Sequence, residues 1–349
     1  MGFRPRAVDA AARDEPAMSA PSRWAGRRVL VTGATGIVGS WLAEALTERG
    51  ASVVALVLDD DPQSRFYADG IDRACSVVRG NLSAIADCAR AINSYECEVV
   101  FHLGAQTIVG TALRDPLECF ESNIRGTYNL LEAARRLQPL VTAFVVASTD
   151  KAYGDSVVLP YTEAMPLNGK HPYDVSKSCA DLLAAAYHHS YGLPVTVARC
   201  GNIYGGGDLN WSRIVPGTIR SLLRGERPVL RSDGAPVRDY IYVKDAVDAY
   251  IALAEATGRA GVAGEAFNFG TESGSTALQM VEAIGRVMQA DPNPVVLGTA
   301  AMEIREQTLD AGKARARLGW RPGWALDDGL RETVSWYRAH LAAPLGAAR

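Results

Sequence analysis

A tyrosine and a lysine four residues apart, Tyr173 and Lys177, stand in the run Y-D-V-S-K. On a helix that spacing projects a phenol and an ammonium from one face, so both can work on one bound molecule. A second set of reactive side chains, Ser148, Thr149, Asp150 and Lys151, follows the apolar run 143–147. That run predicts a buried strand, and reactive groups in open α/β sheets sit just beyond the carboxyl ends of parallel strands. Hydroxyl, carboxylic acid, phenol and two amines then converge on one crevice, a set equipped for proton transfer.

These groups need a scaffold, and the amino-terminal half carries the pattern of one. Residues 28–32 form an apolar run that leads into the turn Gly33, Ala34, Thr35, Gly36, Ile37, Val38 and Gly39, after which Leu42, Ala45 and Leu46 recur at helical spacing. Strand, glycine turn and helix in that order let backbone approach a pyrophosphate, which rests on the N–H groups and positive dipole end of the helix. A second strand, 52–58, ends in Asp59, Asp60 and Asp61. An acidic residue about 20 positions past the glycines takes the ribose hydroxyls of an adenosine half, and carboxylates repel a 2′-phosphate. NAD is therefore favoured over NADP, with Asp59 the expected contact.

A third strand at 76–79 leads to Asn81 and Leu82, expected beside the adenine. A fourth, 99–103, ends at Leu103, Gly104, Ala105 and Gln106, where small residues leave room for the dinucleotide. Asn123, on a helix expected over 116–136, holds either a bend in that helix or a water near the active strand. Ser148 completes the expected cofactor contacts.

Alternating βαβ units through residue 200 predict an α/β fold with a doubly wound parallel (Rossmann) sheet. Residues 27–200 are assigned to this NAD-binding domain, with 239–258 returning to it. Past Gly205 the pattern changes to short strands and helices, so 201–238 and 259–345 are assigned to a smaller carboxyl-terminal α/β substrate lobe. Residues 1–26, rich in Ala, Arg, Pro and Ser without an apolar period, are expected to form a disordered tail. His188 and His189 are expected at the surface or an interface, and Trp320, Trp324, Trp336 and Tyr337 around the last helix.

The totals exclude several classes of partner. Among 349 residues, 48% are hydrophobic and 21% charged, with a net charge of -3, as in an ordinary soluble protein. That balance gives no argument for nucleic acid or an anionic membrane. No run is long enough to span a bilayer, and the amino terminus has no signal-peptide core. Cys75, Cys88, Cys97, Cys119, Cys179 and Cys200 are scattered without a C-x-x-C pair, so reduced thiols in the cytoplasm and no metal site are expected.

With these pieces assembled, the chain resembles the extended short-chain dehydrogenase/reductase family, in the branch acting on nucleotide sugars, over about residues 28–340. The resemblance is carried by T-G-A-T-G-I-V-G, Thr149, Y-x-x-x-K, the turn at Asn202, R-D-Y-I-Y-V-K-D at 238–245 and the late L-G-W-x-P. It implies that Tyr173 takes the hydroxyl proton from carbon 4 of the sugar. Lys177 would lower the phenol's pKa and hold the nicotinamide ribose, while Thr149 orients the same sugar oxygen. Asn202 and Arg238 would grip the nucleotide diphosphate, with Gln106, Arg213 and Asn268 as further substrate contacts. The family also implies a homodimer paired through the helices beginning near Pro116 and Tyr173.

Asp150 and Lys151 decide the subclass. A 4-epimerase moves one hydride off and back and needs no acid for a leaving group. A 4,6-dehydratase must also expel the carbon 6 hydroxyl, which takes an acid at oxygen 6 and a base at carbon 5. Asp150 suits the acid. The usual base of the dTDP-glucose dehydratases is glutamate, and Lys151 stands there instead, as in the CDP-glucose 4,6-dehydratases. Those enzymes are also resembled in G-S-W-L, H-L-G-A-Q and G-N-I-Y-G-G-G-D followed by R-I-V-P. A lysine takes a proton only from its neutral form, which crowding by Lys177 and a positive nicotinamide favours; the alternative is a charged Lys151 that steadies the enolate. The expected activity is an NAD-dependent nucleotide-hexose 4,6-dehydratase acting on CDP-glucose or GDP-mannose. The alternatives are a nucleotide-sugar 4-epimerase and a non-catalytic NAD-binding protein of the same fold.

Overall fold

A computed structural model of the protein describes residues 22–299 and 303–342. Strand β1 (Arg28–Thr32) is apolar and turns at Gly33 into helix α1 (Ile37–Glu48). The winding continues through β2 (Ser52–Val57), α2 (Arg65–Ala68), β3 (Ser76–Arg79), α3 (Ile85–Asn93) and β4 (Val99–His102). Helices α4 (Val109–Arg114), α5 (Pro116–Phe120) and α6 (Gly126–Arg136) precede β5 (Ala143–Thr149). Helix α7 (Pro172–Tyr191) then leads to β6 (Val195–Cys200). Valine and alanine fill these strands because both faces of a parallel sheet are covered.

The second half adds β7 (Asn202–Tyr204), α8 (Ile214–Leu223), β8 (Val229–Leu230), β9 (Val237–Tyr242) and α9 (Val243–Ala256). It closes with β10 (Ala266–Phe269), β11 (Gly274–Thr276), α10 (Ala277–Met288), β12 (Val295–Val296), β13 (Glu306–Gln307), α11 (Gly312–Leu318) and α12 (Leu326–Ala342).

Seven parallel strands make the main sheet in the order β10-β6-β5-β4-β1-β2-β3. This is the doubly wound arrangement expected. The chain runs outward from β1 to β3 and resumes on the other side at β4, so a crevice opens where β1 and β4 end. Leu42 and Leu46 of α1 and Leu253 of α9 cover one face; Leu130 and Leu131 of α6 and Ala180 and Ala184 of α7 cover the other. A smaller sheet centres on β9, which pairs with β7, β11 and β13. Its own core gathers Ile219, Met280, Ile284, Leu330 and Tyr337.

Several boundaries depart from the sequence expectation. Strand β10 falls inside 259–345 yet pairs with β6 as an edge of the main sheet, where Phe267 and Phe269 become fully buried. Strand β9, at the start of the returning stretch 239–258, pairs only in the smaller sheet; α9 alone goes back, onto α1, β5 and β6. The tail expected over 1–26 ends earlier: Trp24 is buried, lies near Phe101 and donates its Nε1–H to Glu255 at 2.7 Å. An indole with a hydrogen-bond partner inside is reason enough for that segment to be ordered. Residues 1–21, 300–302 and 343–345 of the assigned tail and lobe lie outside the described residues. The helix expected over 116–136 carries a π turn, Glu121–Arg125, with Asn123 inside it. Among the described residues no helix is long and apolar enough to cross a membrane, and no cluster of metal-ligating side chains occurs.

Candidate active site

Thr32 and His102 stand opposite each other in the register of β1 and β4. The residues that follow bring Gly33 and Gly104 so close that a Cβ on Gly33 would lie 2.7 Å from the Gly104 nitrogen. Gly33 has φ +72°, in the left-handed region that glycine enters without strain. A Cβ on Gly39 would fall 2.0 Å from the Gly33 carbonyl oxygen, so α1 can rest on the turn only with glycine there. Gly36 caps α1 without a side-chain bond, and its first turn, which holds Ile37 and Val38 just after Thr35, has no acidic residue. The first-turn N–H groups are thereby left to an anion.

At the end of β2 the three acids divide their work. Asp60 pairs with Arg79 and accepts from Tyr67 at 2.8 Å. Asp59 is exposed and its carboxylate keeps no partner among the described residues. Asn81 Oδ1 accepts from the Ser83 N–H at 2.8 Å. Leu82 packs against Gly104 and Gly126, and its carbonyl accepts from Asn129 at 2.9 Å.

Behind Leu103, Gly104, Ala105 and Gln106 lies a buried polar chain that sequence reasoning missed. Thr32 Oγ1 accepts from the N–H groups of Leu103 and Gly104, at 3.1 and 3.0 Å. The same hydroxyl is 3.0 Å from His102 Nδ1, and His102 Nε2 is 3.0 Å from Thr127 Oγ1, which donates to the Asn123 carbonyl. Burial first, then the charge of Lys177, pulls His102 down to about 3, so the ring is neutral. A polar residue at the end of two otherwise apolar runs was the only trace of this chain in the sequence.

Asn123, expected among the cofactor contacts, supports this loop. Its Oδ1 accepts from Gln106 N–H at 2.7 Å, and its Nδ2 donates to Gln106 O at 2.9 Å and to Ser176 Oγ at 2.8 Å. The amide is buried and spent. Gln106 in turn uses Oε1 on the Ile108 N–H at 2.7 Å.

Helix α7 and the end of β5 bring the second group of expected site residues together. Pro172 opens α7, which puts Tyr173 in its first turn and Lys177 one turn on, both buried. Lys177 Nζ donates to Ala147 O of β5 at 2.9 Å, and burial lowers its pKa to about 8 against the pull of Cys119 and Asp181. Burial raises the Tyr173 phenol far above its ordinary value. The Arg213 charge and a hydrogen bond from Thr149 oppose this, while Asp150 and Asp174 add to it. The Arg213 charge is the foremost of the influences favouring the phenolate, and the Lys177 ammonium is turned to a strand carbonyl. The Thr149 hydroxyl donates to Asp150 Oδ1 at 3.0 Å. Asp150 is fully buried, and its Oδ2 and the nearby Ser148 Oγ have no partner. Lys151 Nζ donates to Asp150 Oδ1 at 3.5 Å and to Asn202 Oδ1 at 3.1 Å.

Two expected substrate contacts are otherwise engaged. Asn268 is wholly buried, accepts from Tyr153 Oη at 2.7 Å and donates to Tyr161 O at 2.9 Å, so it belongs to the scaffold. Arg238 is buried and donates to Val237 O at 2.8 Å and Glu303 at 3.0 Å. Arg213 does border the crevice, bonded to Asp208 at 3.0 Å and reaching Thr107 at 3.4 Å. Arg199 was overlooked: it forks onto Asp181 and bonds Tyr153, bracing the Asp150–Tyr153 turn from behind.

Residues 29–270 match the NAD dependent epimerase/dehydratase family. The chain belongs to that family. It is 32% identical over 335 residues to a CDP-glucose 4,6-dehydratase of Salmonella typhimurium, covering 91% of this chain and 92% of the relative. A UDP-glucose 4-epimerase from Thermotoga maritima, solved with UDP-glucose, superposes with TM-score 0.82 at 31% identity, covering 90% of this chain and 99% of the other. A dTDP-glucose 4,6-dehydratase from Streptomyces venezuelae, solved with NAD bound, superposes with TM-score 0.80 at 30% identity over 89% and 97% of the two chains. This chain is an enzyme of the family. Its glycine cradle, the free Asp59 carboxylate and the unpartnered Ser148 hydroxyl fit the family's cofactor, NAD.

Proposed function

We propose that the chain is an NAD-dependent nucleotide-hexose 4,6-dehydratase, with CDP-glucose the leading substrate and GDP-mannose next. One observation carries this: beside the Tyr173 and Lys177 pair, the turn after β5 adds a buried carboxyl with a free oxygen, Asp150, and an amine, Lys151. Moving a hydride off carbon 4 and back needs neither. Breaking the bond between carbon 6 and its oxygen needs both an acid and a group at carbon 5.

NAD, when bound, would supply the hydride chemistry at carbons 4 and 6. Tyr173 accepts the proton of the carbon 4 hydroxyl, and Thr149 orients that oxygen. Arg213 lowers the cost of the phenolate. Asp150 gives a proton to the departing carbon 6 hydroxyl, which leaves as water. Lys151 either takes the carbon 5 proton, or steadies the enolate while another group takes it; that base returns the proton to carbon 5 when carbon 6 receives the hydride. Asn202 and Arg213 hold the nucleotide diphosphate, with Gln106 beside the sugar. The likeness to the Salmonella relative supports CDP-glucose as the leading substrate.

A homodimer is part of this proposal, formed across α5, α6 and α7. Leu117 and Leu182, 68% and 63% exposed on α5 and α7, are apolar side chains such pairing would cover. A reducing, cytoplasmic setting is supported by six unpaired cysteines.

A nucleotide-sugar 4-epimerase is the second reading, favoured by the likeness to the Thermotoga enzyme. Incubating the protein with CDP-, GDP-, UDP- and dTDP-hexoses and weighing the products separates the two. A product lighter by one water is expected from one of them. Products of unchanged mass from every substrate consumed would establish the epimerase instead.

A further inference from the structure

We infer that Asn202 is a positioning residue for Lys151, and that through it the smaller sheet sets the rate of water loss. The proposal rests on the dehydratase reading and concerns how Lys151 is held for its step. Lys151 sits at the end of β5 in the main sheet, while Asn202 opens β7 in the other sheet. Their side chains meet at 3.1 Å across that division.

Lysine has more rotamer freedom to lose than almost any side chain, so a fixed ammonium needs fixed acceptors. The contact to Asp150 is long, 3.5 Å, and the Lys151 side chain is 23% exposed. The Asn202 carbonyl is the shorter of its two bonds. It is also rigidly presented: Asn202 pairs in register with Tyr240 of β9, and the preceding Gly201 N–H bonds Phe269 O at 3.0 Å. A Cβ on Gly201 would meet Asp239 O at 2.6 Å, so the backbone has no room to shift there.

Lys151 Nζ donates to the oxygen of Asn202, so the oxygen faces Lys151 and Nδ2 points away. That NH₂ group has no hydrogen-bond partner among the described residues. It is a donor offered to an acceptor outside the protein, and a phosphate oxygen of the substrate is such an acceptor. One side chain thus joins the anchoring of the substrate to the placement of the amine that serves carbon 5. A correctly seated diphosphate pins the amide, and the pinned amide pins Lys151.

The test is a double-mutant cycle on the full chain with its cofactor, using whichever nucleotide hexose the wild type dehydrates. Asn202→Ala is expected to lower kcat on the order of 10²-fold, and to let reduced nicotinamide accumulate in a single turnover, since carbon 4 is oxidised but elimination stalls. On a Lys151→Met background the same change is expected to cost no further kcat, because Asn202 acts through the amine already removed. Asn202→Asp keeps an oxygen toward Lys151 and loses the NH₂, so it should recover most of kcat while KM stays raised; it also serves if Asn202→Ala folds poorly. A raised KM with unchanged kcat in Asn202→Ala, or losses that add in the double variant, would overturn this role and leave the dehydratase reading standing. A wild-type product of unchanged mass would overturn both.

Discussion

Lys177 donates to the carbonyl of Ala147 at 2.9 Å, which fastens the catalytic helix α7 to the central strand β5. The ammonium is buried, and its lowered pKa, about 8, follows from that burial. Tyr173, one helical turn earlier, is consequently carried at a fixed distance from Thr149 at the strand end. Removing only the phenol oxygen should leave this frame intact. Tyr173→Phe is expected to lower turnover by roughly 10²–10⁴-fold while the purified protein keeps its full complement of dinucleotide. Product assay and an absorbance measurement of bound cofactor check both halves; near-normal turnover would remove Tyr173 from its role.

Asp150→Asn and Lys151→Met separate the two halves of the proposed reaction. Each should lower the rate of water loss by roughly 10²–10⁴-fold yet preserve exchange of hydride at carbon 4, read with substrate deuterated there. Removing either side chain takes away a group needed only after carbon 4 has been oxidised. Keto-deoxy product at the normal rate from both variants would show that neither works at carbons 5 and 6.

The Arg213 charge is the largest influence favouring the Tyr173 phenolate. Losing it raises the phenol further, so a base that must be deprotonated becomes available only at higher pH. Arg213→Gln is therefore expected to move the acidic limb of the kcat profile upward in pH, and Arg213→Lys to move it less. The profile measured over the stable range of the protein checks this. An unmoved limb in Arg213→Gln would mean that the guanidinium does not act on the phenol.

His102 is neutral in the folded protein, with its pKa brought down to about 3 by burial. In the unfolded chain it protonates near 6.5. Below that value the unfolded state binds the extra proton, so this stabilising contribution is complete above about pH 6.5 and drains away as the pH falls toward 3. The slope reaches about 1.4 kcal/mol per pH unit. His102→Gln keeps a polar side chain and removes the titration. Urea unfolding at a series of pH values should show a flatter acid side for the variant; equal slopes would exclude His102 as the source.

What was legible in the sequence was local. The Gly33–Gly39 turn and the spacing of Tyr173 and Lys177 lie within one turn or one helix, where chemistry and periodicity act on neighbours. What stayed hidden depends on partners distant in the chain. Thr32, His102 and Thr127 form one polar chain only because β1 and β4 fall into a particular register. Arg238 and Asn268 stand in the expected motifs, but Glu303, Tyr153 and Tyr161 reach them from elsewhere and occupy them. The run around Phe267 announced a strand; nothing in it told which of two sheets would accept the strand. Trp24 lay in a stretch without apolar period, and a single indole seating itself in the core leaves no pattern to read.

Strand β6 ends at Cys200 and β7 begins at Asn202, so at this crossing one residue, Gly201, is all that separates the two sheets along the chain. Phe269 and Asp239 crowd it from either side. A shift of β7 therefore passes directly to β6, with no loop at this crossing to absorb it. Screening compounds against one half alone would miss whatever is transmitted through that joint.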